Sequence, residues 1–247
     1  DTEDTFIIAE DLTIASGITI STQGNDDLFL VSGTVLTSGT LNLSAGGDFT
    51  FGALNIAAGG TYNATTGETI IDNDMNGVIN GNAGAFLNEG TFTHNSGTVV
   101  TSGASGKVYI NYTGTPTEPT TFYNLTAKTS TDYTAIKSDI IVENILDNQK
   151  YFMMNGGSRA FTLTIGTSGQ QGIINNLNTF SMNYSYYKDI KIKGASEVYP
   201  AILSGTNYVW SSVHADTGSQ VFIENVHFKD DIETGEVEGG CGFTLTG

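Results

Sequence analysis

The apolar residues between Thr5 and Val100 recur at a fixed step. Ile7, Leu28, Phe49 and Ile70 stand 21 positions apart, and Phe92 follows after 22. Ile14, Val35 and Ile56 form a second column at the same step, continued by Val78 and Val99, and Ile20, Leu41 and Tyr62 form a third. The segment TLNLSAGGDFTF (40–51) lies without a gap over TYNATTGETIID (61–72). A repeat of about 20–50 residues marks a solenoid, in which each unit buries its face only by stacking on the next.

Each period holds three short alternations, such as DLFLV, TVLTS and TLNLS, separated by Gly, Ser, Asn and Asp. Alternation at period two predicts strands with one buried face, and the breaks predict tight turns. The expected fold is all-β: a right-handed single-stranded parallel β-helix (β-solenoid) of about 21 residues per coil. Handedness follows the general preference for right-handed parallel crossovers. With strands about 4.8 Å apart, the chain makes about 11 or 12 coils and a rod roughly 55 Å long.

The regularity changes along the chain. Residues 1–113 are regular coils. Residues 114–121 hold two of the three prolines and read as a loop or junction, because proline donates nothing to a ladder. Residues 122–247 continue as looser coils. There Leu125 and Leu146 keep the step of 21, as do Val142, Leu163 and Tyr184, and Phe161, Met182 and Leu203. An aromatic-rich region runs from Tyr184 to Trp210, and an acidic, Gly-rich stretch, DDIETGEVEGGCG (230–242), lies near the end.

Composition agrees with this reading. Of 247 residues 38% are hydrophobic, enough for one elongated domain, and only 14% are charged, below the usual quarter. The net charge of −17, with nine Lys plus Arg against 26 acids, argues against nucleic acid and anionic membrane as partners. No run approaches the roughly 18 apolar residues of a membrane span. The single cysteine, Cys241, permits no intrachain disulfide. The opening DTED is not a basic, apolar leader and reads as a mature or excised piece. The uncapped first coil then expects more chain, a partner or an oligomer over it.

Three sets of residues are candidates for chemistry. Asp72-Asn73-Asp74-Met75-Asn76-Gly77 spells the opening of a calcium loop, with Asp72, Asp74 and Asn76 as oxygen ligands. The twelfth position is Ala83 rather than a bidentate Glu, so an Asx-rich turn is the other reading. In the 21-residue register Asp72 falls on an inward position. Either a bulge gives that place to Ile71, or a carboxylate points inward and needs a partner. The second set is Tyr184, Tyr186, Tyr187, Tyr208 and Trp210, with Tyr199 between them. These can line a glycan-binding groove or stack in the interior. The third is Asp230, Asp231, Glu233, Glu236 and Glu238, a potential carboxylate pair for glycoside hydrolysis. His94, His214 and His227 are scattered and Arg159 is the sole arginine, so a solvated acidic loop reads better than a catalytic centre. Asn42, Asn63, Asn111, Asn124 and Asn183 begin glycosylation sequons.

GTFTHNSGTVVTSG (90–103) followed by TTFYNLTAKTS (120–130) resembles the repeats of large secreted β-helix adhesins of the haemagglutinin-repeat kind, and of phage tail-fibre and tailspike proteins. The resemblance implies an extracellular, cell-surface or virion-surface protein with no shared catalytic residues. The function expected is a non-enzymatic rigid rod of an adhesin, filament or virion fibre. The alternative is a carbohydrate-binding or polysaccharide-degrading β-helix. Expected partners are a surface glycan or protein receptor and further copies or a longer chain, with calcium as the one candidate cofactor.

Overall fold

The computed structural model describes residues 5–24, 28–112, 119–157, 160–185, 190–204, 220–228 and 242–246. These residues are all-β, with no helix. In chain order the first strands are β1 (Thr5–Ile8), β2 (Leu12–Ile14), β3 (Thr19–Ser21), β4 (Leu28–Thr37), β5 (Thr40–Asn42), β6 (Phe49–Ile56) and β7 (Thr61–Asn63). Next come β8 (Glu68–Asp72), β9 (Val78–Ile79), β10 (Asn82–Ala83), β11 (Ala85–Asn88), β12 (Thr91–Thr93), β13 (Thr98–Ser102) and β14 (Val108–Ile110). The chain continues through β15 (Thr120–Ala127), β16 (Thr134–Ile136), β17 (Ile140–Asn148), β18 (Tyr151–Gly157), β19 (Phe161–Ile165) and β20 (Ile173–Asn176). The last are β21 (Thr179–Ser185), β22 (Ile190–Gly194), β23 (Ala201–Ser204), β24 (Gln220–Glu224), β25 (Val226–Phe228) and β26 (Gly242–Thr246).

Pairing is parallel and runs in tracks down one large curled sheet, an arrangement consistent with a β-solenoid. One track passes from β1 through β4, β6, β8, β13, β15, β17, β20 and β23 to β25. A second passes from β2 through β4, β6, β11, β14, β16 and β18 to β21. A third begins as the separate sheet β3-β5-β7-β12. A ladder of the first halves of β15 and β17 follows, continued by β19, β22, β24 and β26. Long strands such as β4, β6, β15 and β17 serve two tracks by bending at register shifts.

Alternation sets the core. In β4 every second residue is buried, beginning with Phe29, Val31 and Val35. The inward side chains stack level upon level, and aromatic rings meet along the interior: Phe51 to Tyr62 at 6.1 Å, Tyr62 to Phe92 at 5.8 Å, and Phe92 to Phe122 at 5.6 Å. Two buried polar side chains show the pairing that burial favours. The Tyr62 hydroxyl lies 2.7 Å from Thr69 Oγ1. Asn111 accepts the Asn88 N–H at 3.0 Å and donates to Thr120 Oγ1 at 3.0 Å and to Ser138 Oγ at 2.9 Å.

The register corrects several expected columns. The third is as read: Ile20 pairs Leu41, and Leu41 pairs Tyr62. Tyr62 then pairs Phe92 across a longer step, so Phe92 belongs to this column and not to the first. In the first column Phe29, not Leu28, pairs Phe49, and Ile7 is exposed. Phe51 pairs Ile71, which is fully buried, while Ile70 is only half-buried. In the second, Ile14 pairs Thr37 and Thr37 pairs Ile56, while Val35 stacks between Leu12 and Leu54. Val78 is 50% exposed and leaves the core altogether. It starts an excursion in which β9 and β10 pair antiparallel around Asn80 and Gly81, at φ 50° and 80°. Those angles are the hairpin geometry that Asn-Gly favours. The excursion accounts for the lengthened step from Tyr62 to Phe92, and it brings Ile79 into a small second core with Ala53, Ala85 and Leu87. Beyond residue 122, Leu125 pairs Leu146 as expected. Val142 instead pairs Ile165, Phe161 pairs Ile190, and Met182 pairs Met154. Connections of changing length vary the step there, which is short from Thr134 to Phe152 and long from Ile190 to Val221.

Candidate functional site

The Asp72–Gly77 motif sits where β8 ends and the excursion begins. Asp72 Oδ1 accepts the Asp74 N–H at 2.9 Å, a turn made by the side chain two residues back. Asp74 then reaches the next level. Its Oδ2 accepts the Ala104 N–H at 2.9 Å and its Oδ1 accepts the Ser105 hydroxyl. These two bonds, the hydroxyl's first, hold the Asp74 carboxyl below its ordinary pKa. Buried Asn73 adds a bond from Nδ2 to the Gly106 carbonyl at 2.5 Å. Asn76 contributes through its backbone N–H, which donates to the Ser32 carbonyl at 2.8 Å. Gly77 fits because a Cβ would overlap the backbone of Gly52 and Ala53. Asp72 therefore lies on the outer row with Ile71 inward; β6 and β8 pair in even register at a step of 20, with no bulge between them. Among the described residues no three His, Cys, Asp or Glu side chains gather closely enough to hold a metal ion.

A shallow groove of about 440 Å³ lies on the outer face of β13, β15, β17, β20 and β23. Its polar side chains are linked along the stacking direction. Asn124 donates to Thr98 Oγ1 at 3.2 Å, Asn144 to Asn124 Oδ1 at 2.8 Å, and Gln170 to Asn144 Oδ1 at 2.9 Å. Asp147 receives Asn175 at 2.7 Å and Gln149 at 2.6 Å. These bonds tie successive levels together, and they occupy the amides that would otherwise face a ligand. His94 is part of another inter-level contact, its Nε2 3.3 Å from Glu143 Oε2 and its ring stacked on Tyr123.

The distinctive surface is a tyrosine and lysine face on the second track. Tyr109 is the outward residue of β14 between buried Val108 and Ile110. Asn111, at φ 53°, turns the chain so that the Tyr112 ring returns to 4.4 Å from Tyr109. Tyr133 precedes β16 and lies 6.4 Å from Tyr109; Tyr151 opens β18 and lies 5.6 Å from Tyr133. Lys137 Nζ sits over Tyr112 at 3.7 Å and Tyr109 at 5.9 Å, and Lys107 Nζ over Tyr133 at 4.9 Å. Beneath them Ala135 pairs with Tyr109 and Met153 with Ala135 in the outward row, yet both are buried. The tyrosines thus form a layer outside the sheet. Partial burial, then the neighbouring Tyr133 hydroxyl, pushes the Tyr109 phenol up to about 12. Burial likewise raises Tyr133, with Asp132 adding to the effect. Both phenols are neutral hydrogen-bond donors at physiological pH.

The sequence candidates distribute differently. Asp72, Asp74 and Asn76 come together as a turn. Tyr186, Tyr187, Tyr208, Trp210, Arg159, Cys241, His214 and the acidic residues from Asp230 to Glu238 lie outside the described residues, as does the Tyr184 side chain in β21. Asn111 is buried, which removes it from the glycosylation candidates. The tyrosine and lysine face escaped the sequence reading. Its one visible trace is VYINY (108–112), where two tyrosines three apart flank a strand end. Comparison with family models, curated proteins and solved structures gave no match.

Proposed function

We propose that this chain is a right-handed parallel β-helix serving as a rigid, non-enzymatic rod of an extracellular, cell or virion surface, and that it holds a glycan against its flank. The observation that carries this reading is the tyrosine layer on the outward row of a continuous parallel ladder. Aromatic rings fixed at one face of a stiff scaffold suit the flat, apolar faces of sugar rings. Right-handedness is supported by the general bias of parallel crossovers. The pairing supports the expected coil size in the column from Ile20 to Tyr62, and larger coils where a loop or hairpin is inserted. Stacked ladders supply stiffness, and each level stabilises only its neighbours.

The test is incubation with a panel of polysaccharides, following both retention and cleavage. Retention is expected with no new reducing ends and no unsaturated sugar products. Release of either would make the protein an enzyme and overturn the reading.

A further inference from the structure

We infer that the strip formed by Tyr109, Tyr112, Tyr133 and Tyr151 with Lys107 and Lys137 is a binding site for an acidic polysaccharide running along the rod axis. The inference rests on the glycan-holding reading above and names the ligand class and the site.

Three observations carry it. The first is alignment. Tyr109 in β14, Tyr133 just before β16 and Tyr151 at the start of β18 lie on three successive levels, so their rings follow the stacking direction rather than a single strand. With levels about 4.8 Å apart, the strip is about 10 Å long, which matches an extended chain of a few sugars better than a compact ligand. The second is charge. The protein carries net −17 and only nine Lys plus Arg. Two of those cations are placed at this one aromatic strip. Among the described residues neither Lys107 nor Lys137 forms a salt bridge, and both are half-buried. Each ammonium keeps three N–H donors and rests over ring faces that give it little hydrogen bonding in return. The third is the state of the phenols. Tyr109 and Tyr133 are held neutral and hydrogen-bond to each other, which leaves one hydroxyl proton of the pair to donate to a sugar oxygen beside the stacked rings. Asp132 is the acidic neighbour acting on Tyr133, and it sits beside the ring rather than against either ammonium.

A neutral glycan would use the rings and leave both cations unpaired. A nucleic acid would also meet cations and rings, but its phosphates are held by clusters of several basic side chains, and this strip offers only Lys107 and Lys137. A uronic acid chain, with separated carboxylates between apolar ring faces, fits both features.

The experiment is titration calorimetry with oligogalacturonate and, as neutral counterpart, a cello-oligosaccharide, using the whole chain. Oligogalacturonate is expected to bind the more tightly, and to weaken with added salt. Each of Lys107→Gln and Lys137→Gln is expected to weaken it about tenfold, the loss of one charge-assisted hydrogen bond. Lys137→Arg should restore most of the affinity. Tyr112→Ala, at a 36% exposed position, should weaken both sugars without lowering the melting temperature. Equal binding of the two sugars, or acid binding indifferent to these substitutions, overturns the site while leaving a glycan-holding rod standing. Failure of the unaltered protein to bind any sugar in the panel overturns the rod's glycan reading and the site with it.

Discussion

Asn111 does three things at once. Its backbone takes the left-handed conformation that turns β14 outward, its Oδ1 receives the Asn88 N–H, and its Nδ2 feeds Thr120 and Ser138. Asn111→Ala leaves a buried N–H without its acceptor and strains the turn, so chemical denaturation should show a loss of about 2–4 kcal/mol. Because the turn positions Tyr112, sugar affinity should fall with it. Asp74 acts at the surface and through pH. Its folded pKa lies below its unfolded value, so its two bonds to the 104–105 loop stabilise the fold above the ordinary carboxylate range and are lost as pH falls through and below it. Asp74→Asn should therefore melt earlier than the unaltered protein at neutral pH, and the gap should close in acid. A rise in melting temperature on adding calcium, absent in Asp74→Asn, would instead assign these oxygens to a cation.

Among the elements, legibility depended on turn length. The column Ile20–Leu41–Tyr62 could be read because β3, β5 and β7 are short strands joined by connections of equal length. The neighbouring columns were displaced by one or two positions. Phe29 pairs Phe49 and Phe51 pairs Ile71 at steps of 20 rather than 21, and a one-residue change exchanges inside for outside. The changed step can be tested at β8. Ile71→Asp should unfold the protein at ordinary temperature, since it buries a charge without a partner, whereas Ile70→Asp on the outer row should lower the melting temperature only slightly. The hairpin β9–β10 was hidden for a different reason. Val78 matched the apolar step by coincidence, and Asn80-Gly81, the true signal of a two-residue turn, lay inside a run read as repeat. The tyrosine and lysine face was illegible because pairing steps of unequal length assemble it, a long one from β14 to β16 and a shorter one from β16 to β18. No fixed period brings positions 109, 133 and 151 together.

At the scale of the whole molecule, the ladder and the loops answer to different constraints. The ladder needs hydrogen bonds between neighbouring strands, inward apolar residues and paired buried amides, and it tolerates little else. The connections need only return the chain to the next level. The hairpin after β8 makes this concrete, since it adds sequence to one level while β8 and β13 remain direct neighbours. Height and chain length are therefore uncoupled: new sequence inserted at a corner widens the stack of strands and leaves its height unchanged. Such a scaffold can acquire lateral decoration piece by piece, each addition tried against solvent before the stack beneath has to change.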